Sequence, residues 1–401
     1  MKIKVSDVKK RKIVYGVMLS LFPILSPYSI SNGGSAITDI LAILLLVWFV
    51  IKKKKLVIEK DIVVLICTML CLSLVAVLVT STSQIGSSMK VLVVFCIYSF
   101  FMGVLWNEIE AEKFVNIVLV IGGICAFLAI VQFIFASLGI SSIYSGRLPL
   151  PINQYSDFGG IVDITGTIRV HSFFEEPSYL AIYELPLIAY CFEKGKFKQG
   201  IFLSIACVVS GTMLGIIGVL FIILFMLLLG KMPLKKKIIF ISIIISFCII
   251  IFILYLKNEA ISSMINYYIN RYNNIDKELQ RSSSSVSQRL VGNASYFNEY
   301  KVINKLVGTG ANQYASYFNL QNDYSNDLVC TLLNYGIMGL ISLIIFLLNK
   351  CRKIQRNGII YVVIFVMVLS VDHIWFNEYF FYLLTWIIMF SRKDIYSLKI
   401  R

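Results

Sequence analysis

Residues 200–230 form an apolar run without a single charge, GIFLSIACVVSGTMLGIIGVLFIILFMLLLG. A helix of about 20 apolar residues crosses the hydrocarbon core of a bilayer, so this run belongs in a membrane. Lysines flank it on both sides, at positions 194, 196 and 198 and at 231 and 235–237. Because basic loops stay in the cytoplasm, the run must cross an even number of times. We predict two short helices that turn near residues 210–212, or alternatively a re-entrant hairpin.

The whole chain shares this apolar character. Of its 401 residues, 58% are hydrophobic and only 15% are charged, whereas soluble domains are about 25% charged. Stretches long enough to span lie at 13–31, 36–51, 61–80, 90–106, 115–138, 178–192, 200–230, 238–256, 326–348, 358–372 and 377–391. With 200–230 counted as two helices, the sequence predicts an all-α polytopic membrane protein of about 12 transmembrane helices.

Charge placement predicts the orientation of these helices. Of the 37 lysines and arginines, 27 fall in segments that this layout assigns to the cytoplasm. Both termini are then cytoplasmic, the host membrane is the cytoplasmic (inner) membrane, and two long loops face outward. The successive regions are the first five helices (1–138), outer loop 1 (139–177), four helices (178–256), outer loop 2 (257–325), and three helices with a cytoplasmic tail (326–401).

The excess of 15 positive charges is explained by this placement, so it does not indicate nucleic-acid binding. The nine cysteines lie almost all in or beside apolar stretches, which is typical of small packing residues. The two histidines, His171 and His373, are far apart in the sequence. No spacing of these residues matches a metal site, so we expect no metal.

Arginine is concentrated in the two outer loops. Five of the ten arginines fall there: Arg147, Arg169, Arg271, Arg281 and Arg289. The positive-inside rule disfavours them outside, whereas a guanidinium suits phosphate or carboxylate oxygens. The sequence therefore indicates an anionic ligand on the outer face, with pairing to the loops' own acids as the alternative. The loops also carry many aromatic residues, which suit either a carbohydrate or the membrane interface.

The second outer loop has an internal helix pattern. Residues 285–288 resemble a capping box, and the apolar spacing that follows predicts an outer helix ending near Leu306. The sequence Gly308-Thr-Gly310 comes next, where such a helix would stop. Arg289 falls in the first turn, where a bound anion would offset its unfavourable position near the positive helix end.

The end of the first outer loop places four ionisable groups before a span: Arg169, His171, Glu175 and Glu176. The next residue, Pro177, suits the first turn of a helix. Glu184 lies inside the span, where an ionisable residue is a functional candidate. The alternatives are structural: a glutamate that complements a helix N-terminus, a histidine that only hydrogen-bonds, and a carboxyl that bonds within the bundle. We interpret His373 and Glu378, in the last short outer loop, as membrane-interface residues.

Several of these motifs together resemble the Wzy-type polysaccharide polymerases and the related O-antigen ligases, which act on lipid-linked glycans. The resemblance covers roughly 169–345 and is carried by Arg169 with Phe174-Glu-Glu-Pro177, the turn at Ser210, Arg289 followed by Gly308-Thr-Gly310, and Ser325-Asn-Asp-Leu328 leading into Asn334-Tyr-Gly-Ile-Met-Gly339. The ligases usually carry a histidine at the position of Ser325, so its absence here favours a polymerase.

The resemblance implies a glycosyltransferase that polymerises undecaprenyl-diphosphate-linked oligosaccharides into capsule, exopolysaccharide or O-antigen, without a nucleotide sugar or any other cofactor. Membrane lipid, a chain-length regulator and a flippase of the same pathway are the implied partners. Glu176 is the expected catalytic carboxylate, with Glu175 as the alternative. The expected substrate-binding residues are Arg169, Arg289, Arg147, Arg281, His171, Glu184, Gly308, Gly310 and Asn326. The alternative functions are an O-antigen ligase and a lipid-linked oligosaccharide flippase.

Cysteine labelling from outside the cell tests the layout. A membrane-impermeant maleimide should label Tyr155→Cys and Asn312→Cys, because both positions lie in the predicted outer loops, and should not label Lys196→Cys. The wild-type chain, with its nine native cysteines, sets the background. Labelling of Lys196→Cys from outside would overturn the parity argument on which the orientation rests.

Overall fold

The structure is a computed structural model of the chain. It describes residues 16–31, 36–53, 55–80, 85–108, 111–140, 146–153, 160–162, 168–228, 293–320, 325–354, 358–375, 377–389 and 395–399, with isolated positions at 158 and between 237 and 266. Most of these residues are helical, and most of the helices are apolar. The protein is therefore a helical membrane protein.

In chain order the helices are α1 (Gly16–Leu25), α2 (Ile37–Lys53), α3 (Lys60–Val79), α4 (Ile85–Glu108), α5 (Ala111–Ser137), α6 (Pro177–Glu193), α7 (Phe197–Val209), α8 (Met213–Leu228), α9 (Val302–Val307), α10 (Tyr314–Phe318), α11 (Asp327–Lys353), α12 (Ile359–Leu369) and α13 (Glu378–Met389). A 3-10 helix covers Ala294–Glu299. Two short strands, β1 (Lys55–Glu59) and β2 (Ile395–Lys399), pair antiparallel. Their sequences, KLVIE and IYSLK, contain the β-branched and aromatic residues that favour strands.

Three described helices are long and apolar enough to cross a membrane, namely α3, α5 from Glu112 onward, and α11. They coincide with the predicted spans at 61–80, 115–138 and 326–348. The surface of α5 suits lipid, since Val120, Ile124 and Phe127 are exposed along one face. The other apolar stretches are shorter, and the layout of about 12 crossings stays a prediction.

The chain packs as two compact units. Unit 1 comprises residues 1–117, 151–154 and 279–401, and unit 2 comprises residues 118–150 and 155–278. In unit 2, α6 packs against α7 and α8, and almost all of its residues are buried. Small residues permit this packing, as is common between membrane helices. A Cβ on Gly218 of α8, for example, would lie 2.6 Å from Leu185 of α6.

The turn predicted at 210–212 is confirmed, because it separates α7 from α8. The Ser210 hydroxyl donates to the carbonyl of Cys207 at 2.7 Å. Oγ1 of Thr212 accepts the backbone N–H of Gly215 at 3.0 Å. The two hydroxyls thus bond backbone groups at the helix ends that the turn leaves open.

An ion cluster joins the start of α3 to the end of α11 in unit 1. The fully buried side chain of Lys350 contacts the carboxylates of Glu59 and Asp61, the latter at 3.2 Å. Lys353 makes a second contact with Asp61 at 2.9 Å. A buried ammonium is tolerated only with close counter-charges, which these two carboxylates supply. Acid at the start of α3 and base at the end of α11 also complement the helix dipoles.

The long helix α11 is broken at Gly336, where φ is 66° and ψ is −167°. The break frees carbonyls in the preceding turn, and the outer loop supplies their donors. The N–H of Thr309 donates to Leu333 at 3.3 Å, and that of Gly310 donates to Asn334 at 2.8 Å. A membrane helix tolerates a break where other groups satisfy the freed backbone in this way.

Two segments meet at the break, residues 308–310 and residues 333–336. Together we call them the kink joint. They approach so closely that Gly308 and Gly336 have no room for a side chain. A Cβ on Gly336 would overlap the backbone of Leu306, and one on Gly308 would overlap the opposite segment. Gly308 also has a positive φ of 75°, and it directly follows α9. The predicted helix stop at this glycine is confirmed.

The outer helix predicted over 285–306 is wrong in the part that the structure describes. There the 3-10 helix Ala294–Glu299 and α9 are separated by extended backbone at Tyr300. The tyrosine itself explains the break, since its side chain is buried and its hydroxyl donates to the carbonyl of Leu333 at 3.0 Å. Residues 285–292, which include the predicted capping box, lie outside the described residues.

Substitution of Gly336 by alanine tests the kink joint. Gly336→Ala should destabilise the fold by about 2 kcal/mol or more, because it places a methyl against backbone and forces a side-chain residue into a positive φ. Gly86→Ala in α4 is the matched control, since nothing lies within 4 Å of a Cβ there, and it should be neutral or slightly stabilising. Thermal unfolding in detergent measures both variants. If Gly336→Ala unfolds at the same temperature as the wild type, the break does not require a glycine.

Candidate functional site

The end of the first outer loop, residues 168–176, is fixed to α5 in unit 2. The backbone of Ser172 is bonded twice by the buried Gln132. Its N–H donates to Oε1 at 2.8 Å, and its carbonyl accepts from Nε2 at 3.4 Å. The turn is also closed internally, since the N–H of Phe174 donates to the carbonyl of His171 at 3.0 Å. The loop end is therefore ordered before any ligand binds, as a preorganised site requires.

His171 takes part in this turn through its ring. The side chain is buried, and Nδ1 lies 2.6 Å from the carbonyl oxygen of Phe174, to which it donates. The ring also packs against Phe158, with 6.1 Å between the ring centroids. These contacts correspond to the structural alternative for His171, and its predicted substrate contact stays a prediction.

Glu176 occupies the N-cap position of α6, and Pro177 takes the first helical position, as predicted. The carboxylate of Glu176 makes no capping hydrogen bond to the helix backbone. Instead, its Oε2 accepts from the hydroxyl of Ser178 at 3.1 Å. Glu175 and Glu176 are both half-buried. Both carboxylates therefore lie at the loop end beside the helix entrance.

Two of the four predicted anion-binding arginines are described, and both belong to unit 2. Arg147 is exposed, and Arg169 is half-buried. The backbone N–H of Arg169 donates to the carbonyl of Ile161 at 2.7 Å, which fixes the chain at this point. Neither guanidinium forms an ion pair or hydrogen bond with a residue in the described ranges. Arg281 and Arg289 lie outside those ranges.

Glu184 is separate from the loop end. It lies seven residues after Pro177, about 10 Å along the helix at 1.5 Å per residue, and its side chain has 0% exposure. Within the described part of the chain, neither carboxylate oxygen has a hydrogen-bond partner. The predicted bonding of this carboxyl within the bundle is therefore not seen. Its predicted contact with substrate stays a prediction.

The predicted binding residues of the second outer loop have structural partners in unit 1. Gly308 and Gly310 belong to the kink joint, where the N–H of Gly310 is bonded to α11. Asn326 caps α11, since its side-chain oxygen accepts the N–H of Val329 at 3.0 Å. Each residue thus has a role in packing, and a part in substrate binding stays a prediction.

The described aromatic residues of the second outer loop pack on one another. Tyr300 stacks on Phe318 with ring centroids 5.0 Å apart. Tyr296 and Tyr317 contact the same phenylalanine, each at 4.8 Å. Because Tyr300 and Tyr314 are buried, internal packing accounts for these side chains. The sequence suggested a carbohydrate or the membrane interface as their contact, and did not suggest internal packing.

Sequence reasoning missed a carboxylate–histidine pair in unit 1. Nδ1 of His373 lies 2.8 Å from Oδ1 of Asp327. The fully buried carboxylate also accepts the backbone N–H groups of Ile374 at 2.9 Å and Trp375 at 3.0 Å. The His373 side chain is 40% exposed, so it is the solvent-facing member of the pair. No local pattern reveals this contact, because Asp327 opens α11 and His373 follows α12.

The surroundings of His373 raise its pKa well above the usual value. The partial burial of the ring would by itself lower the pKa, but the nearby Cys330 and the carboxylate of Asp327 more than offset that effect. Because the folded-state pKa of His373 is raised, protonation of its ring contributes stability that is fully present below pH about 6.5, as long as Asp327 stays ionised. That contribution is lost as the pH rises through the raised pKa.

Glu378 is buried, which corrects its interpretation as an interface residue. Its Oε1 accepts from the hydroxyl of Thr38 at 2.5 Å and lies 3.0 Å from the hydroxyl of Tyr98. That tyrosine hydroxyl also lies 2.8 Å from Oδ1 of Asp39. The start of α13 is thereby bonded to α2 and α4, which are distant in the sequence.

Histidine-selective NMR tests the Asp327–His373 pair, since the chain contains only two histidines. The ring of His373 should titrate above pH 6.5, and Asp327→Asn should lower its midpoint by about 1 unit or more. Glu299→Gln, at an exposed carboxylate of the same unit, should leave the midpoint unchanged. The spectrum of His373→Asn assigns the signal. A wild-type midpoint at or below 6.5 would contradict the pairing.

Comparisons with known proteins do not assign this chain to a family. No family model matches the chain, and no curated protein matches it. Among the residues that the structure describes, no group of three or more His, Cys, Asp or Glu side chains is placed to hold a metal ion. A function for this protein therefore has to be argued from its membrane helices and from the described residues of its loops.

Proposed function

We propose that this protein polymerises lipid-linked oligosaccharide repeat units into a surface polysaccharide, by glycosyl transfer on the outer side of the cytoplasmic membrane. The observation that supports this most is the ordered loop end at 168–176. It carries the Arg169 guanidinium, which has no partner among the described residues, and two carboxylates directly before a membrane helix. Such a cation suits a ligand whose charge lies at headgroup depth, as a lipid diphosphate does.

The first requirement of the reaction is a cation for the leaving group. When the anomeric carbon of the donor sugar loses its bond to the diphosphate, negative charge develops on the departing oxygen. A guanidinium stabilises that charge through its paired N–H donors. We assign this role to Arg169, with Arg147 as a second cation of the same unit.

The second requirement is a group that handles the proton of the attacking hydroxyl. A carboxylate can accept that proton as the acceptor oxygen bonds to the anomeric carbon. Glu176 is half-buried, is oriented by Ser178, and is not used as a cap. Glu176 therefore either takes the proton or orients the acceptor sugar, and Glu175 is the alternative residue for this role.

The placement of charged residues in unit 2 favours glycosyl transfer over transport of the lipid-linked oligosaccharide. Among α6, α7 and α8, the only acidic or basic residue away from a helix end is Glu184. These helices therefore offer no charged lining for the passage of a diphosphate, whereas transporters place such groups near the bilayer midplane. An O-antigen ligase would use the same transfer chemistry with a different acceptor.

An assay with purified protein in liposomes tests the proposal. Lipid-linked repeat units, isolated from cells that lack this protein, should be extended into a ladder of longer chains still attached to lipid. Arg169→Lys should slow the extension at least about tenfold, because an ammonium cannot reproduce the paired contacts of a guanidinium. Arg352→Lys, at an exposed position near the end of α11, is the matched control and should extend at the wild-type rate.

Two results of this assay would refute the polymerase. Movement of the lipid across the bilayer without new glycosidic bonds would identify a flippase. Transfer only to an acceptor other than a lipid-linked repeat unit would identify a ligase. Extension by Arg169→Lys at the wild-type rate would leave the polymerase standing and remove Arg169 from the diphosphate site.

A further inference from the structure

The middle of α6 holds a carboxyl group that the loop-end chemistry does not use. Glu184 is fully buried, and both of its oxygens lack a hydrogen-bond partner within the described residues. Opposite it, α5 has a glycine at position 122. A Cβ there would lie 3.1 and 3.3 Å from the two carboxyl oxygens. The missing side chain of Gly122 thus leaves the space that the carboxyl group fills.

The groups that face Glu184 supply no positive charge. The ionisable ones are three thiols: Cys125 on α5, Cys191 on α6 and Cys207 on α7. The fourth helix of unit 2, α8, has no ionisable side chain. Among the described residues, no lysine, arginine or histidine interacts with this carboxyl group. An ionised carboxylate removed from water needs a counter-charge or several donors, and Glu184 has neither.

We propose that Glu184 is a proton-binding site within the membrane part of unit 2, held as the neutral acid in the folded protein. A neutral carboxyl group can be buried without a counter-charge, which fits the surroundings just described. A metal ion is not the counter-charge, because among the described residues no three His, Cys, Asp or Glu side chains are placed to hold one. This inference is independent of the polymerase proposal, since it concerns the helices and not the loop end.

Proton release from Glu184 affects the contact between α5 and α6. A charged carboxylate at this contact is stable only if water reaches it, so ionisation and local opening of the two helices occur together. The same helix α5 holds the loop end through the bonds between Gln132 and Ser172. The site therefore links a proton inside the bundle to the support of residues 168–176.

Two carbodiimides of opposite polarity test the proposal on the full chain in lipid nanodiscs. A carbodiimide reacts with a protonated carboxyl group. The acid proton passes to a carbodiimide nitrogen, the carboxyl oxygen bonds to the central carbon, and acyl migration to nitrogen leaves a stable N-acylurea. The hydrophobic N,N′-dicyclohexylcarbodiimide should modify Glu184 at least about tenfold faster than a water-soluble carbodiimide. The exposed Glu299 is the control and should show the reverse preference in peptide mass spectra.

The variant Glu184→Gln separates a neutral acid from an ionised structural carboxylate. Because the amide is neutral and similar in shape, the variant should unfold at the same temperature as the wild type at about pH 3.5, where this carboxyl group is protonated in the folded and in the unfolded chain. At pH 7 the variant should unfold at a higher temperature than the wild type, because ionisation of Glu184 then stabilises only the unfolded wild-type chain. The infrared carbonyl band of a protonated acid should be present in the wild type at pH 7 and reduced by one group in Glu184→Gln.

Three results would overturn the proposal. The first is an infrared spectrum at pH 7 that is the same for the wild type and Glu184→Gln in the region of protonated acids. The second is faster modification of Glu184 by the water-soluble reagent. The third is a Glu184→Gln protein that unfolds while Glu184→Asp stays folded, since that pattern requires an ionised carboxylate. None of these measurements uses a glycan substrate, so their outcome is separate from that of the polymerase assay.

Discussion

Backbone carbonyls freed inside a membrane must find donors in the protein, because lipid offers none. The break at Gly336 frees such groups in α11, and their donors come from the outer loop that precedes the helix. This requirement sets the path of the loop. Tyr300 is buried because its hydroxyl donates to Leu333, and the neighbouring rings then pack around it. The side-chain oxygen of Asn334 adds a further attachment, since it accepts the N–H of Gln313 at 3.0 Å.

The loop end in unit 2 is held by the same kind of bond. There a side chain of a membrane helix, Gln132, binds the backbone of the loop at Ser172. In both units the loop backbone is bonded to a helix, and some loop side chains take no part in those bonds. Arg169 is one such side chain, and its guanidinium has no partner in the described part of the protein. A group that is ordered at the backbone and unpaired at its end is suited to binding a ligand.

Features that depend on a few adjacent residues could be predicted from the sequence. The turn at 210–212 follows from a serine, a glycine and a threonine between apolar runs, and Pro177 marks the first turn of α6 because its fixed φ suits that position. Features that depend on distant residues could not. Tyr300 interrupts a helical pattern because of a carbonyl in α11, and Asp327 meets His373 only after α12 has been placed. The position of Glu184 in a predicted span makes it a functional candidate, but its isolation follows only from the placement of α5 beside it.

The burial of α6 has a consequence for the biogenesis of the protein. Except at Tyr179 and its last residue, the helix is buried along its whole length, so it has no broad face for lipid. It also carries Glu184 and an internal proline, Pro186, both of which are unfavourable in a helix that enters a bilayer alone. A nascent chain that ended after α6 would expose these residues to lipid. In the predicted layout, in which α6 crosses the membrane, its stable insertion depends on α5 before it and on α7 and α8 after it.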